Sequence, residues 1–144
     1  MMRRTAEEHG FGWLHTSALW LLAKNILRST GDTAEPRELL TRMITACDRE
    51  SDLTSWMVGM ATLAYVEFVD DDHERASLLL GAVARRSDES GFHPEKLDPV
   101  DMAEFTATMA ASMPAGVLRA GDEAGRSLDR NGIAALVAAC ARRR

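Results

Sequence analysis

Apolar positions along this 144-residue chain recur at spacings of three and four, and polar turns interrupt them at a fixed interval. Gly31-Asp32, Ser51-Asp52 and Asp71-Asp72 stand twenty residues apart, and an apolar pattern of helical period follows each. Leu39, Leu40, Met43, Ile44 and Cys47 mark one face of a second helix. Leu53, Trp56, Met57, Met60, Leu63, Ala64 and Phe68 repeat the rhythm in a third, and Ala76, Leu79, Leu80 and Val83 in a fourth. The first helix, from about Gly12 to Ser29, is apolar nearly all round, which predicts burial between neighbours or an exposed adhesive face. Two helices with their turns fill about forty residues, the range of tetratricopeptide-like and HEAT-like repeats.

The residues between the apolar stripes supply the starts and stops. Gly31 suits the left-handed position that ends a helix. Asp52, Asp72 and Asp129 are expected to cap the helices that follow them, and Thr33 or Glu35 the second helix, where Pro36 is tolerated in the first turn. The fourth helix should stop near Gly91, and residues 87–98, with Gly91, Pro94 and several charges, read as the longest loop. Asp98-Pro99 starts a fifth helix bearing Met102, Phe105, Met109 and Met113, and Pro114 forces a break. A shorter helix through Val117 and Leu118 should end at Gly121 or Gly125, and a last one carries Ile133, Leu136, Val137 and Cys140. No segment alternates as a half-buried strand would. The expectation is an all-α single domain over 1–144, an antiparallel helical-repeat (TPR-like) superhelix of about seven helices. Repeat-like pairs should occupy 12–91 and a C-terminal capping unit 98–144.

Charge narrows the partners. The net charge is −5, with seven Lys+Arg against twelve Asp+Glu in residues 1–72 and ten of each thereafter. No basic stripe is present, so direct nucleic-acid contact by this region is not expected. Arg142-Arg143-Arg144 ends a helix, where cations favour the negative pole of its dipole. No apolar run reaches the ~20 residues of a membrane span. The start, Met1 to Glu8, turns acidic after two arginines with no signal-like apolar segment, so a cytoplasmic location is expected. Cys47 and Cys140 fall on core stripes, which predicts reduced, buried thiols and disfavours a thiolate nucleophile.

Chemistry has few footholds. Asp70-Asp71-Asp72-His73-Glu74 resembles the magnesium-diphosphate box of terpenoid synthases, and a small helical metal-dependent enzyme using this acidic turn is the alternative reading. Its place in the twenty-residue rhythm argues for a helix joint instead. His9, His15, His73 and His93 form no i, i+4 pair, and phosphate loops, nucleophile elbows and dinucleotide fingerprints are missing, so no catalytic, cofactor or metal residue is expected. Methionines and tryptophans at helical spacing suggest an adaptable apolar groove. The expected contact surface is flanked by Trp13, Trp20, Trp56 and Met60, with Arg85 and Arg86 as charged rim, for a protein partner or a small effector. A homodimer through the apolar first helix is a third reading.

Glu74-Arg75-Ala76-Ser77-Leu78-Leu79-Leu80-Gly81-Ala82, continued through Gly91, resembles the last repeat of the long helical arm in actinobacterial-type LuxR-family and ATPase-linked or cyclase-linked transcriptional regulators. Met102 to Met113, Ala115 to Gly125 and Leu128 to Cys140 are similar to the helices that follow it. The resemblance implies a tetratricopeptide-like superhelix that relays effector or partner binding, without catalytic residues of its own. Asn131-Gly132 and Arg85-Arg86-Ser87 depart from the family pattern, and neither the ATPase phosphate loop nor the helix-turn-helix of the regulators is present in this sequence. The functional expectation is a non-catalytic module for protein–protein interaction or effector sensing, part of or derived from such a regulator.

Overall fold

A computed structural model describes the backbone of residues 2–142 and the side chains of residues 15–142. The described chain is all-α: α1 (Met2–Thr30), α2 (Ala34–Glu50), α3 (Leu53–Val69), α4 (His73–Ser90), α5 (Pro94–Leu97), α6 (Asp101–Ser112), α7 (Ala115–Arg126) and α8 (Arg130–Ala141). Each of α1 to α4 packs on the next, as in a helical repeat. Then the path changes. α5 and α6 lie on α3, α7 on α4, and α8 returns to α2.

The twenty-residue rhythm has a backbone cause. At the α2–α3 joint, Asp52 N–H donates to Cys47 O (2.9 Å) and Ser51 N–H to Asp48 O (3.3 Å). At the α3–α4 joint, Asp72 N–H donates to Glu67 O (2.9 Å) and Asp71 N–H to Phe68 O (3.0 Å). Both are Schellman closures, which require a left-handed residue just past the helix. Ser51 (φ 60°) and Asp71 (φ 63°) occupy that position without being glycine. The following aspartate then caps the next helix: Asp52 accepts from Ser55 N–H at 3.3 Å and Asp72 from Arg75 N–H at 3.0 Å. Asp129 does the same for α8 through Gly132 N–H at 2.7 Å. The first joint differs, since Gly31 takes the left-handed turn (φ 74°) and the Thr33 hydroxyl donates to Asp70 across the fold at 2.8 Å instead of capping α2.

Burial falls on α3 more than on α1. The expected stripe of α2 is buried, but α3 is enclosed nearly all round from Ser55 to Ala64 because α1, α2, α4, α5 and α6 all reach it. Gly59 makes this closeness possible: a Cβ there would stand 3.1 Å from Ile44 Cγ1 and 3.3 Å from Met43 Sδ. On α1, Leu19, Ala23 and Leu27 are buried whereas Leu21 and Leu22 are exposed.

Residues 87–98 are not a long loop. α4 continues to Ser90, Gly91 (φ 76°) closes it, and α5 fills Pro94–Leu97, an eighth helix where seven were expected. α7 runs past Gly121 and ends at Arg126, one residue beyond Gly125. Both glycines lie inside α7 against Ser77 and Gly81 of α4, one turn apart on each helix, which brings the two backbones together.

Two polar clusters tie distant segments to this frame. Arg37 of α2 is 3% exposed and pairs with Glu67 (2.7 Å, 0% exposed) and with Asp70. Burial would lower the Arg37 pKa, yet the hydrogen bonds it donates to both carboxylates hold it above its ordinary value. Lys24 of α1 reaches Asp98 (2.7 Å) and Asp101 (2.9 Å), fixing the start of α6, while Asp98 also accepts from Asp101 N–H (3.1 Å). The Lys24 hydrogen bond holds the Asp101 carboxyl below its usual range.

Candidate functional site

A cavity of about 750 Å³ opens between α2, the α2–α3 joint and α8. Its size lies within the ~300–1,000 Å³ of small-molecule sites. The local sequence explains the gap. α2 turns Ile44 and Cys47 inward, α8 offers Ile133 and Val137, and between them α8 presents only Ala134, Ala138 and Ala141. These alanines are too short to fill the space between the helices.

The lining is apolar below and cationic above. Trp56 of α3 and Arg86 of α4 form one wall, with the Arg86 guanidinium 6.0 Å from the indole centroid, in cation–π range. Arg42 and Arg49, two turns apart on α2, and Arg130 at the start of α8 complete the arginines, and His15 of α1 also borders the space. Two aspartates line it, and both are engaged. Asp48 meets Arg130 at 3.2 Å, and Asp52 caps α3. Cys47 is 1% exposed, and burial, then Asp52 and Glu50, push its thiol up to about 12, only partly offset by Thr16. The thiol is therefore neutral floor and not a nucleophile.

Of the six residues expected at a contact surface, the structure brings Trp56 and Arg86 together at this cavity. Met60 is fully buried in the core. Trp20 packs under Lys24 (4.0 Å to the ring centroid) and donates from Nε1 to the Thr62 hydroxyl at 3.2 Å. Arg85 donates to the Arg126 (3.0 Å) and Leu128 (3.4 Å) carbonyls, closing the end of α7. The Trp13 side chain lies outside the described residues. Sequence reasoning missed Arg42, Arg49 and Arg130. Only Arg130 carried a signal, being a cation in the first turn of a helix, where the dipole disfavours it.

The acidic turn divides its carboxylates among separate tasks. Asp70 binds Arg37 and Thr33, Asp71 occupies the left-handed turn, and Asp72 caps α4 with Arg75 Nε 3.8 Å away. Among the described residues, no group of three His, Cys, Asp or Glu is placed to hold a metal ion. No helix among them is long and apolar enough to cross a membrane. Cys140, fully buried on α8, is likewise pushed up to about 12 by burial and by Glu67.

Comparison with protein-family models, characterised proteins and solved structures finds no match to this chain.

Proposed function

We propose that this chain is a non-catalytic helical binding module that senses an effector in the groove between α2 and α8. The observation that carries the reading is the pairing of an apolar floor, Ile44, Ile133 and Val137, with an aromatic wall at Trp56 in an open cavity of about 750 Å³. The space is a solvent-open groove, and its volume suits a small ligand. The cavity touches α1, α2, α3, α4 and α8 at once. An occupant would therefore bias the relative placement of most of the helices, which is what a sensing arm requires. If residues 74–140 correspond to the arm of LuxR-family regulators, as their sequence resemblance implies, the effector's effect would pass to other parts of a regulator in the cytoplasm. The acidic turn is the weaker site, because Asp70 and Asp72 already serve Arg37, Thr33 and the start of α4.

The test uses the neutral apolar dye N-phenyl-1-naphthylamine. Saturable one-to-one binding is expected, lost in the groove-filling variant Ala134→Phe/Ala138→Phe, whose two positions are exposed on α8 and so tolerate bulk. Absence of saturable binding, or binding unaltered by the variant, overturns the reading.

A further inference from the structure

We infer that the α2–α8 groove selects an amphipathic organic anion, a carboxylate or phosphate head on an aliphatic or aromatic body; this rests on the groove being a binding site at all. The chain carries a net charge of −5, yet this one cavity is bordered by four arginines against two aspartates. Asp48 is matched by Arg130, and the Asp52 carboxylate is turned to the backbone of α3. Arg42, Arg49 and Arg86 face only the remaining Asp52 charge, a net excess of two positive charges at the cavity. Arg86 has the Trp56 face beside it, which holds the guanidinium near the cavity without neutralising it.

Such a distribution favours a negative group at the opening. Cations gathered at one apolar opening repel one another, and guanidinium groups are weakly hydrated and suited to carboxylate or phosphate oxygens. The floor beneath them is mainly aliphatic: Ile44, Ile133 and Val137 are buried, the Cys47 thiol is neutral, and the neighbouring Thr41 and Thr45 hydroxyls donate to the Glu38 and Thr41 carbonyls of their own helix. A hydrophilic anion would leave that floor uncovered, and a neutral hydrocarbon would leave the arginines unused. A molecule with both parts meets both surfaces, and the volume accommodates a chain of about ten carbons with its head, within the usual range for small ligands.

Isothermal titration of the full chain with decanoate, decyl phosphate and decan-1-ol tests this. Decanoate or decyl phosphate should bind one-to-one at least about tenfold more tightly than decan-1-ol, the scale of a charge-assisted contact, and the stronger of the two identifies the head group. Arg42→Gln/Arg49→Gln/Arg86→Gln should reduce that preference about tenfold or more while leaving the helical circular dichroism unchanged. Equal binding of decanoate, decyl phosphate and decan-1-ol overturns the anion assignment and leaves the groove reading standing. So does binding of N-phenyl-1-naphthylamine alone. An anion preference that survives the triple substitution overturns the assignment to these arginines. Failure of every probe, the neutral dye included, removes the groove reading as well.

Discussion

Replacing Gly125 by alanine is the sharpest single perturbation this fold offers. A Cβ at Gly125 would stand 2.2 Å from Leu78 O, 2.9 Å from Ala82 N and 2.9 Å from Gly81 Cα. All three are backbone atoms of α4, so no side chain can swing aside. Ordinary carbon–oxygen contact begins near 3.3 Å, and α4 and α7 would have to separate by roughly an ångström along their closest crossing. Alanine normally gains about 1 kcal/mol over glycine in a helix. Overpacking against an unyielding neighbour costs about 1–3 kcal/mol, and the separated helices lose dispersion contacts along their length as well. The clash therefore wins, with a net loss of about 2 kcal/mol, or a fall in Tm of roughly 4–8 °C for a chain of this size. Gly116 is the internal control. It sits in the first turn of the same helix with nothing within 4 Å of an added Cβ, so Gly116→Ala should be neutral or stabilising by up to about 1 kcal/mol. Urea denaturation of both variants measures the difference. Equal midpoints for Gly125→Ala and Gly116→Ala would refute the close α4–α7 crossing.

Three further outcomes follow from other parts of the frame. Arg37→Ala removes the cation from a fully buried Glu67 and should cost about 3–5 kcal/mol in chemical denaturation, with Arg37→Met/Glu67→Gln losing less because no buried charge is left behind. Ser51→Gly and Asp71→Gly relieve left-handed side-chain strain at exposed joints and should each raise stability by about 1 kcal/mol, read as an increase in Tm; a decrease at both positions would contradict the Schellman closures. Cys47 and Cys140 should resist a thiol reagent at pH 8 until denaturant is added. Their folded pKa values are raised to about 12, so they contribute stability that is present below the unfolded thiol value and lost as pH rises from about 9 toward 12. Cys47→Ala/Cys140→Ala should show a shallower fall in Tm across that window, and an identical slope would contradict burial of the thiols.

Local chemistry made most of the helix starts and turns legible. Asp52, Asp72 and Asp129 cap where their spacing to the apolar stripes required, because a capping carboxylate needs only the amide three residues on. Gly31 and Gly91 take the left-handed turns for the same local reason. Gly125 does stand at the end of α7, but its role and that of Gly121 in the α4 crossing were hidden, because a helix-ending glycine and a helix-crossing glycine look alike until the partner, Ser77 or Gly81 some forty residues earlier, is known. Lys24, 74 residues before Asp98, could not be matched to it from periodicity alone. The candidate site was half legible. Trp56 and Arg86 were singled out as aromatic and basic residues, but the cavity they border depends on α8 returning to α2. Arg42 and Arg49 looked like the ordinary solvated face of an amphipathic helix. Nothing local shows that α8 lies along that face with alanines too small to fill the gap.

The central claim is that the space between α2 and α8 receives a ligand, and contacts between a bound molecule and the protein's methyl groups test it most directly. With methyl-labelled protein and N-phenyl-1-naphthylamine, intermolecular nuclear Overhauser effects are expected at Ile44, Ile133 and Val137. Contacts confined to the exposed Leu21, Leu22, Leu97 or Val100, with none at those three groove residues, would contradict it.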